Sequence, residues 1–159
     1  KNAGAEFAAM ATNTPHIAYE RIKEKSPIPV LSIMQAVGNK IKEDGYSNVG
    51  LLGTKFTMKS EFYHKALAEF GINVVIPEEG QRNYINDVIW NELVHGKIEN
   101  SSRVGYKKII EDMNNKGCQG VILGCTEIPL LIKPVDSPIK TYDTATIHAN
   151  AILEYALNV

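Results

Sequence analysis

The 159-residue chain has only two cysteines, one tryptophan and almost no net charge, with 17 basic against 18 acidic side chains. Cys118 and Cys125 have no second pair to complete a zinc site and lack Cys-x-x-Cys spacing, so a structural metal or dithiol chemistry is not expected. The charges are interspersed rather than blocked, which argues against a nucleic-acid partner or an acidic tail. Apolar runs such as Val121-Ile122-Leu123 are far too short to cross a bilayer, and no charged-then-apolar leader opens the chain. A cytoplasmic protein with no membrane partner and a small-molecule ligand is the expectation. Hydrophobic residues make up 44% of the chain, enough for an ordinary globular core.

Strand-like and helix-like segments alternate. Phe7–Ala11, Val30–Ile33, Val49–Gly53, Ile72–Ile76, Val121–Gly124 and Ile139–Tyr142 read as strands. Ile17–Lys25, Gln35–Glu43, Thr54–Phe70, Arg82–Val94, Ser102–Asn115 and Thr144–Leu157 read as helices, with Gly71, Gly96 and Gly117 as stops. Short apolar strands without alternation belong to parallel sheets covered on both faces. The fold class predicted is α/β, with two doubly wound parallel-sheet domains and an active site in the cleft between them. The proline-bearing links Ser26–Pro29 and Lys133–Pro138 set off a central block, residues 28–133, as the second domain. Residues 1–27 and 134–159 are the expected remnants of the first. The chain opens on Lys1 and reaches a strand almost at once, so it is expected to begin partway through a fold, with the first domain incomplete.

Two segments carry the chemistry. Thr12-Asn13-Thr14-Pro15-His16 and Gly124-Cys125-Thr126-Glu127-Ile128-Pro129 each place a small nucleophilic side chain after an apolar run and before a helix start. That is where open α/β folds deliver residues into a crevice. Pro15 and Pro129 suit the first helical turn. Cys118, between Gly117 and an apolar run, reads instead as a small buried thiol.

These two motifs, with Gly50-Leu51-Leu52-Gly53-Thr54, the Gly120–Pro129 run and the stretch from Tyr142-Asp143-Thr144 to His148-Ala149, resemble the aspartate/glutamate racemase family over nearly the whole chain. The resemblance implies two α/β domains with substrate between them, and neither pyridoxal phosphate nor metal as cofactor. It also implies two catalytic bases, usually cysteines, one preceding Asn-Thr and one within Gly-Cys-Thr-Glu. Cys125 fills the second position. Thr12 stands in the first, as in family members that carry threonine there and racemise acidic amino acids. By the same resemblance, the earliest βα segments are absent from this chain.

The residues fit that reading. A thiolate removes an α-proton only if its pKa is lowered, and a helix N-terminus takes a thiol from ~8.5 to about 3.5–7.5 in favourable cases; Cys125 is expected to be such a thiol. Thr12 is a weak base but a ready proton donor, and it equally suits a helix cap. Backbone N–H groups at Asn13-Thr14 and Thr126-Glu127 are expected to hold the α-carboxylate and the developing enolate charge. Asn13 and Thr126 add side-chain donors, and Thr54 another at a third strand exit. Glu127 either anchors the substrate ammonium, orients a neighbour, or is an outlying carboxylate. His16 and His148 read first as structural helical histidines and otherwise as donors that support an active-site residue; by the resemblance, His95 and Lys97 lie near where the family carries a substrate-contacting basic residue, and alignment without gaps points to His95. Trp90 and Tyr84 read as core or as the interface of a homodimer. The rival readings are a racemase-fold isomerase or decarboxylase of another small acid, and a non-catalytic amino-acid-binding protein.

Overall fold

The structure, a computed structural model, describes residues 1–158. Parallel strands alternate with helices along its length. The order is β1 (Ala8–Ala9), a 3-10 turn (Thr14–Ala18), α1 (Tyr19–Lys25), β2 (Val30–Leu31), α2 (Ile33–Glu43), β3 (Asn48–Leu52), α3 (Lys55–Lys59), α4 (Glu61–Ala68), β4 (Asn73–Val75), α5 (Glu79–Asn91), α6 (Asn100–Asn115), β5 (Gly120–Leu123), α7 (Ile128–Leu131), β6 (Lys140–Asp143) and α8 (Thr144–Leu157). Local chemistry sets the main boundaries. Ser32 Oγ accepts the N–H groups of Met34 and Gln35 at the start of α2, whose buried Ile33, Met34, Val37 and Ile41 fall at helical spacing. Asp143 caps α8 in the same way, accepting from Ala145 and Thr146. Gly96 and Gly117 leave their helical segments in the left-handed region, where a side chain would be strained.

Four strands form one parallel sheet in the order β4-β3-β5-β6, and β1 and β2 form a separate parallel pair. In the larger sheet, Val49, Leu51 and Leu52 of β3 and Val121, Ile122 and Leu123 of β5 are buried. These central strands are covered by helices on both faces, which accounts for their unbroken apolar sequence. The chain leaves β3 toward one edge, to β4, and later builds β5 and β6 on the other side. The crevice past the carboxyl ends of β3 and β5 is therefore the topological switch point of this sheet.

Strand pairing beside the links at residues 28 and 133 is set by register. β2, counted in the central block, pairs with β1 through Ala8↔Val30 and Ala9↔Leu31. β6, counted in a flank, is an edge strand of the four-stranded sheet, registered Gly120↔Lys140 through Leu123↔Asp143. Prolines mark links, but hydrogen-bonded register decides sheet membership. The helix expected from Thr54 to Phe70 is also two helices. Ser60 adopts extended dihedrals between α3 and α4, and its hydroxyl donates back to Phe56 O at 2.6 Å. This local bond competes with helix continuation. Among the described residues, no helix is long and apolar enough to cross a membrane.

β5 can lie this close to β6 only because residue 120 has no side chain. A Cβ there would meet Tyr142 Cε2 at 2.7 Å and the Lys140 carbonyl oxygen at 3.0 Å. The ring can shift, but the backbone cannot without breaking register. Gly120→Ala is therefore expected to destabilise the fold by about 1–3 kcal/mol, read as a lowered urea midpoint at unchanged m-value.

Candidate active site

The residues following three strands converge at the switch point. β3 ends in Leu52-Gly53-Thr54 and β5 in Leu123-Gly124-Cys125, and Gly124 N–H donates to Leu52 O at 2.7 Å. Gly124 must be small: a Cβ would approach Leu51 Cδ1 to 2.8 Å and Leu52 O to 2.9 Å. This close approach sets Thr54 and Cys125 on adjacent strand exits. The third contribution comes from the loop after β1, where Met10 N–H donates to Leu31 O at 3.1 Å before the chain turns through Thr12-Asn13-Thr14.

A buried relay fastens that loop to the large sheet. Tyr63 of α4 donates its hydroxyl to Asn13 Oδ1 at 3.2 Å. Asn13 Nδ2 donates to Thr144 Oγ1 at 3.1 Å. Thr144 Oγ1 in turn donates to Leu123 O at 3.0 Å, two residues before Cys125. Asn13 is 3% exposed, Tyr63 and Thr144 not at all. Thr14 adds a weaker tie, its hydroxyl lying 3.5 Å from Thr57 Oγ1. Thr57 is itself 3.0 Å from Thr54 Oγ1 and donates its N–H to that oxygen at 3.2 Å. Thr54 thus caps α3 as expected while sharing a hydroxyl cluster with Thr14. Asn13, Thr14 and Thr54 are brought together, and Asn13 is linked through Thr144 to the strand carrying Cys125.

Cys125, Thr126 and Glu127 form a second cluster. The Cys125 thiol donates to Glu127 Oε2 at 3.0 Å, and the Thr126 hydroxyl donates to the same oxygen at 3.0 Å. Glu127 is therefore neither a helix cap by its side chain nor an outlying carboxylate; it faces the sulfur. This reverses the electrostatics expected for Cys125. Burial, reinforced by the hydrogen bond to Glu127 and by its negative charge, pushes the thiol up to about 12. Backbone N–H groups of Glu127 and Thr126 pull the other way but are outweighed. The four-residue α7 contributes too little positive end to compensate. For Glu127, burial pushes the carboxyl up, but the bonds from Cys125 and Thr126 prevail and hold it below its ordinary value. The resting pair is thus thiol and carboxylate, with the proton on sulfur.

Thr12 is exposed and does not cap the following turn, where Asn13 holds the cap position. Its φ of 65° makes it the one non-glycine residue in the left-handed region among those described. For a β-branched residue this costs of order 1–3 kcal/mol and persists only where surrounding bonds over-determine it. One such bond runs from His16 Nδ1 to Thr12 O at 2.9 Å. His16 is 4% exposed, and its Nε2 accepts the Ile33 N–H at 3.1 Å. Burial lowers its pKa to about 4, outweighing the backbone bond to Thr12, with the neighbouring His148 adding to the depression. His148 is also buried, leaves Nε2 without a partner, and is depressed chiefly by burial.

Tyr63, Thr57 and Thr144 were missed from sequence. Thr144 alone had a signal, as the first residue after a strand exit. His95 lies exposed in a 3-10 turn (Leu93–His95) that packs against α7. Trp90 is 56% exposed and Tyr84 lies at the surface beside Tyr106, so neither is core. Cys118 is buried, as read from its context.

Comparison with known proteins places this geometry. The family model for Asp/Glu/Hydantoin racemase matches residues 1–152. A crystal structure of a candidate Asp/Glu racemase from Yersinia pestis superposes with TM-score 0.94 at 39% identity, over 98% of this chain and 68% of that one. An aspartate racemase homologue from Pyrococcus horikoshii gives TM-score 0.90 at 39% identity, over 98% of this chain and 69% of that one. Among curated sequences, a glutamate racemase of Sulfurihydrogenibium is 26% identical over 99% of this chain, which spans 60% of that enzyme's length.

The carboxylate beside Cys125 can be tested by replacing its charge. In Glu127→Gln the repulsion on a developing thiolate is gone, so the sulfur's pKa falls. The pH profile of Cys125 alkylation by iodoacetamide is expected to move at least about one unit toward lower pH, with Cys118 shielded by burial. His16 yields a stability prediction of known sign. Its folded pKa lies below the 6.5 of the unfolded chain, so its contribution is fully present above pH 6.5 and is lost as pH falls toward 4. The loss is on the order of 3 kcal/mol, read as a urea midpoint that falls less steeply over this window in His16→Gln.

Proposed function

The chain belongs to the Asp/Glu/Hydantoin racemase family, and from that premise we propose that it carries the proton-transfer machinery of a racemase interconverting L- and D-aspartate or glutamate. The reading rests chiefly on the relay from Asn13 through Thr144 to Leu123 O, which joins the loop bearing Thr12 to the strand delivering Cys125. The acidic substrates named for its relatives support an acidic amino acid as ligand.

In the proposed reaction, Cys125 and Thr12 serve opposite faces of the α-carbon. Because the resting sulfur is protonated, Glu127 first accepts the thiol proton across their 3.0 Å bond. The thiolate so formed takes the α-proton of one enantiomer, leaving the electron pair as an enolate-like carbanion. Backbone N–H groups after Asn13, with the hydroxyls of Thr14 and Thr54 and, once Glu127 is protonated and no longer draws it, that of Thr126, hold the α-carboxylate and its added charge, the larger contribution to lowering the barrier. The Thr12 hydroxyl donates a proton from the other face, the exposed alkoxide regains one from water, and the hydroxide so formed takes the proton left on Glu127, which restores the resting thiol and carboxylate. In the opposite direction Thr12 must act as base and the neutral Cys125 thiol donates, a role for which its raised pKa is no obstacle.

Incubation with each enantiomer of aspartate and glutamate in deuterium oxide, followed by proton NMR and chiral chromatography, tests the reading. Exchange of the α-proton with inversion is expected. Exchange of one enantiomer without inversion would reduce Thr12 to a bystander, and binding without exchange would overturn the racemase reading. Thr12→Cys is expected to raise kcat/KM at least about tenfold. The equilibrium constant of one requires the same factor in both directions, so unchanged efficiencies would remove Thr12 from the mechanism.

A further inference from the structure

The left-handed backbone at Thr12 requires something to hold it, and a single imidazole fills that role from two sides. His16 Nε2 receives the N–H of Ile33, the first residue of α2. A backbone N–H can only donate, so Nε2 must be the unprotonated nitrogen, and in the neutral ring the proton resides on Nδ1. Nδ1 lies 2.9 Å from Thr12 O, which can only accept. The helix start thereby fixes the tautomer, and the tautomer fixes the bond to Thr12. The ring plane is set as well, because Tyr19 stacks on it at 5.6 Å and 23°. Tyr19 is in turn anchored by its hydroxyl, which donates to Val30 O at 2.9 Å. The burial that keeps His16 neutral near pH 7 keeps this arrangement intact.

We infer that His16 is the positioning residue for Thr12: its Nδ1–H clamps the Thr12 carbonyl so that residue 12 stays at positive φ and presents its hydroxyl to the substrate. This deepens the racemase reading and rests on it for the role of the hydroxyl. The clamp itself rests only on the geometry. His16 acts from four residues past Thr12, at the end of the same segment, and touches no reacting atom.

Two substitutions in the intact protein separate the two nitrogens. Asparagine carries an amide N–H near the position of Nδ1 and nothing at Nε2, whereas glutamine reaches the Nε2 position and leaves Nδ1 empty. In crystal structures, Thr12 is expected to remain near its φ of 65° in His16→Asn and to leave the positive region in His16→Gln. Substrate inversion is expected to fall at least tenfold in His16→Gln and to recover to within threefold of wild type in His16→Asn. Exchange without inversion through the Cys125 face stays within twofold in both. A positive φ at Thr12 in His16→Gln, equal losses in the two variants, or parallel loss of exchange and inversion would each overturn the inference. Nitrogen NMR of the unmodified protein requires no variant to fold: a proton on Nε2 of His16 instead of Nδ1 would refute the clamp. If wild type neither exchanges nor inverts an acidic amino acid, the racemase reading fails alone, and Thr12 φ in His16→Gln still decides the clamp.

Discussion

The position of the Thr12 loop on the large sheet depends on one side-chain amide. β1 and β2 are two residues each, Ala8 and Ala9 are exposed, and the pair shares no strand with the larger sheet. So small a sheet cannot fix its own orientation. Asn13 supplies the missing constraint by accepting from Tyr63 and donating to Thr144, which passes its own proton to Leu123 O. The direction is unambiguous, because the carbonyl at the end can only accept and each earlier hydroxyl must then donate onward. Such a network is stabilising only when complete, since a buried donor or acceptor left open costs its full desolvation. The loop and the sheet therefore hold their relative position as a unit, helped by α2 packing against α8.

The second constraint is steric. Gly124 lets β5 pass beside Leu52 O with no Cβ between, and Gly53 faces it across the same gap, where an added Cβ would lie 3.4 Å from Gly124 O. These glycines draw the two strand exits together at the switch point, so Thr54 and Cys125 arrive as neighbours of one crevice. The sulfur that follows this approach is half-buried, and burial is the first reason its proton is held so firmly.

Much of this was legible in the sequence where local rules apply. The unbroken apolar run at 121–123 identified a doubly covered parallel strand, Thr54 and the Gly117 stop marked helix ends, and the range of α8 follows directly from Thr144 after a short strand. Contacts between distant segments were not legible. Tyr63 reaches Asn13 across 50 positions and Asn13 reaches Thr144 across 131, and no local pattern announces either. The charge state of Cys125 failed for a different reason. Glu127 was visible two residues away, but neither the burial of the sulfur, the larger cause, nor the direction of the carboxylate, a rotamer, can be read locally, and together they make a weakly acidic thiol of one expected to be acidic. Proline reports where the chain bends and not which strand it joins, so the pairings of β2 and β6 beside the two links were not legible either.

The asymmetry of the site bears on how a racemase of this design can work. In the proposed reaction one face has a paired acid and base, Cys125 and Glu127, and the other a hydroxyl on a strained backbone whose carbonyl is held by a neutral histidine. A substrate pair of equal free energy does not require equal machinery on its two faces, because microscopic reversibility constrains only the ratio of the two efficiencies. Each direction crosses the same barriers in opposite order, so a weak base on one face slows both alike. What the design must do is lower the energy of the shared carbanion, since that intermediate stands between the two barriers. Donors held rigidly before charge develops accomplish this without reorganisation, which places the catalytic weight on the relay that keeps the Asn13 loop still rather than on the identity of residue 12.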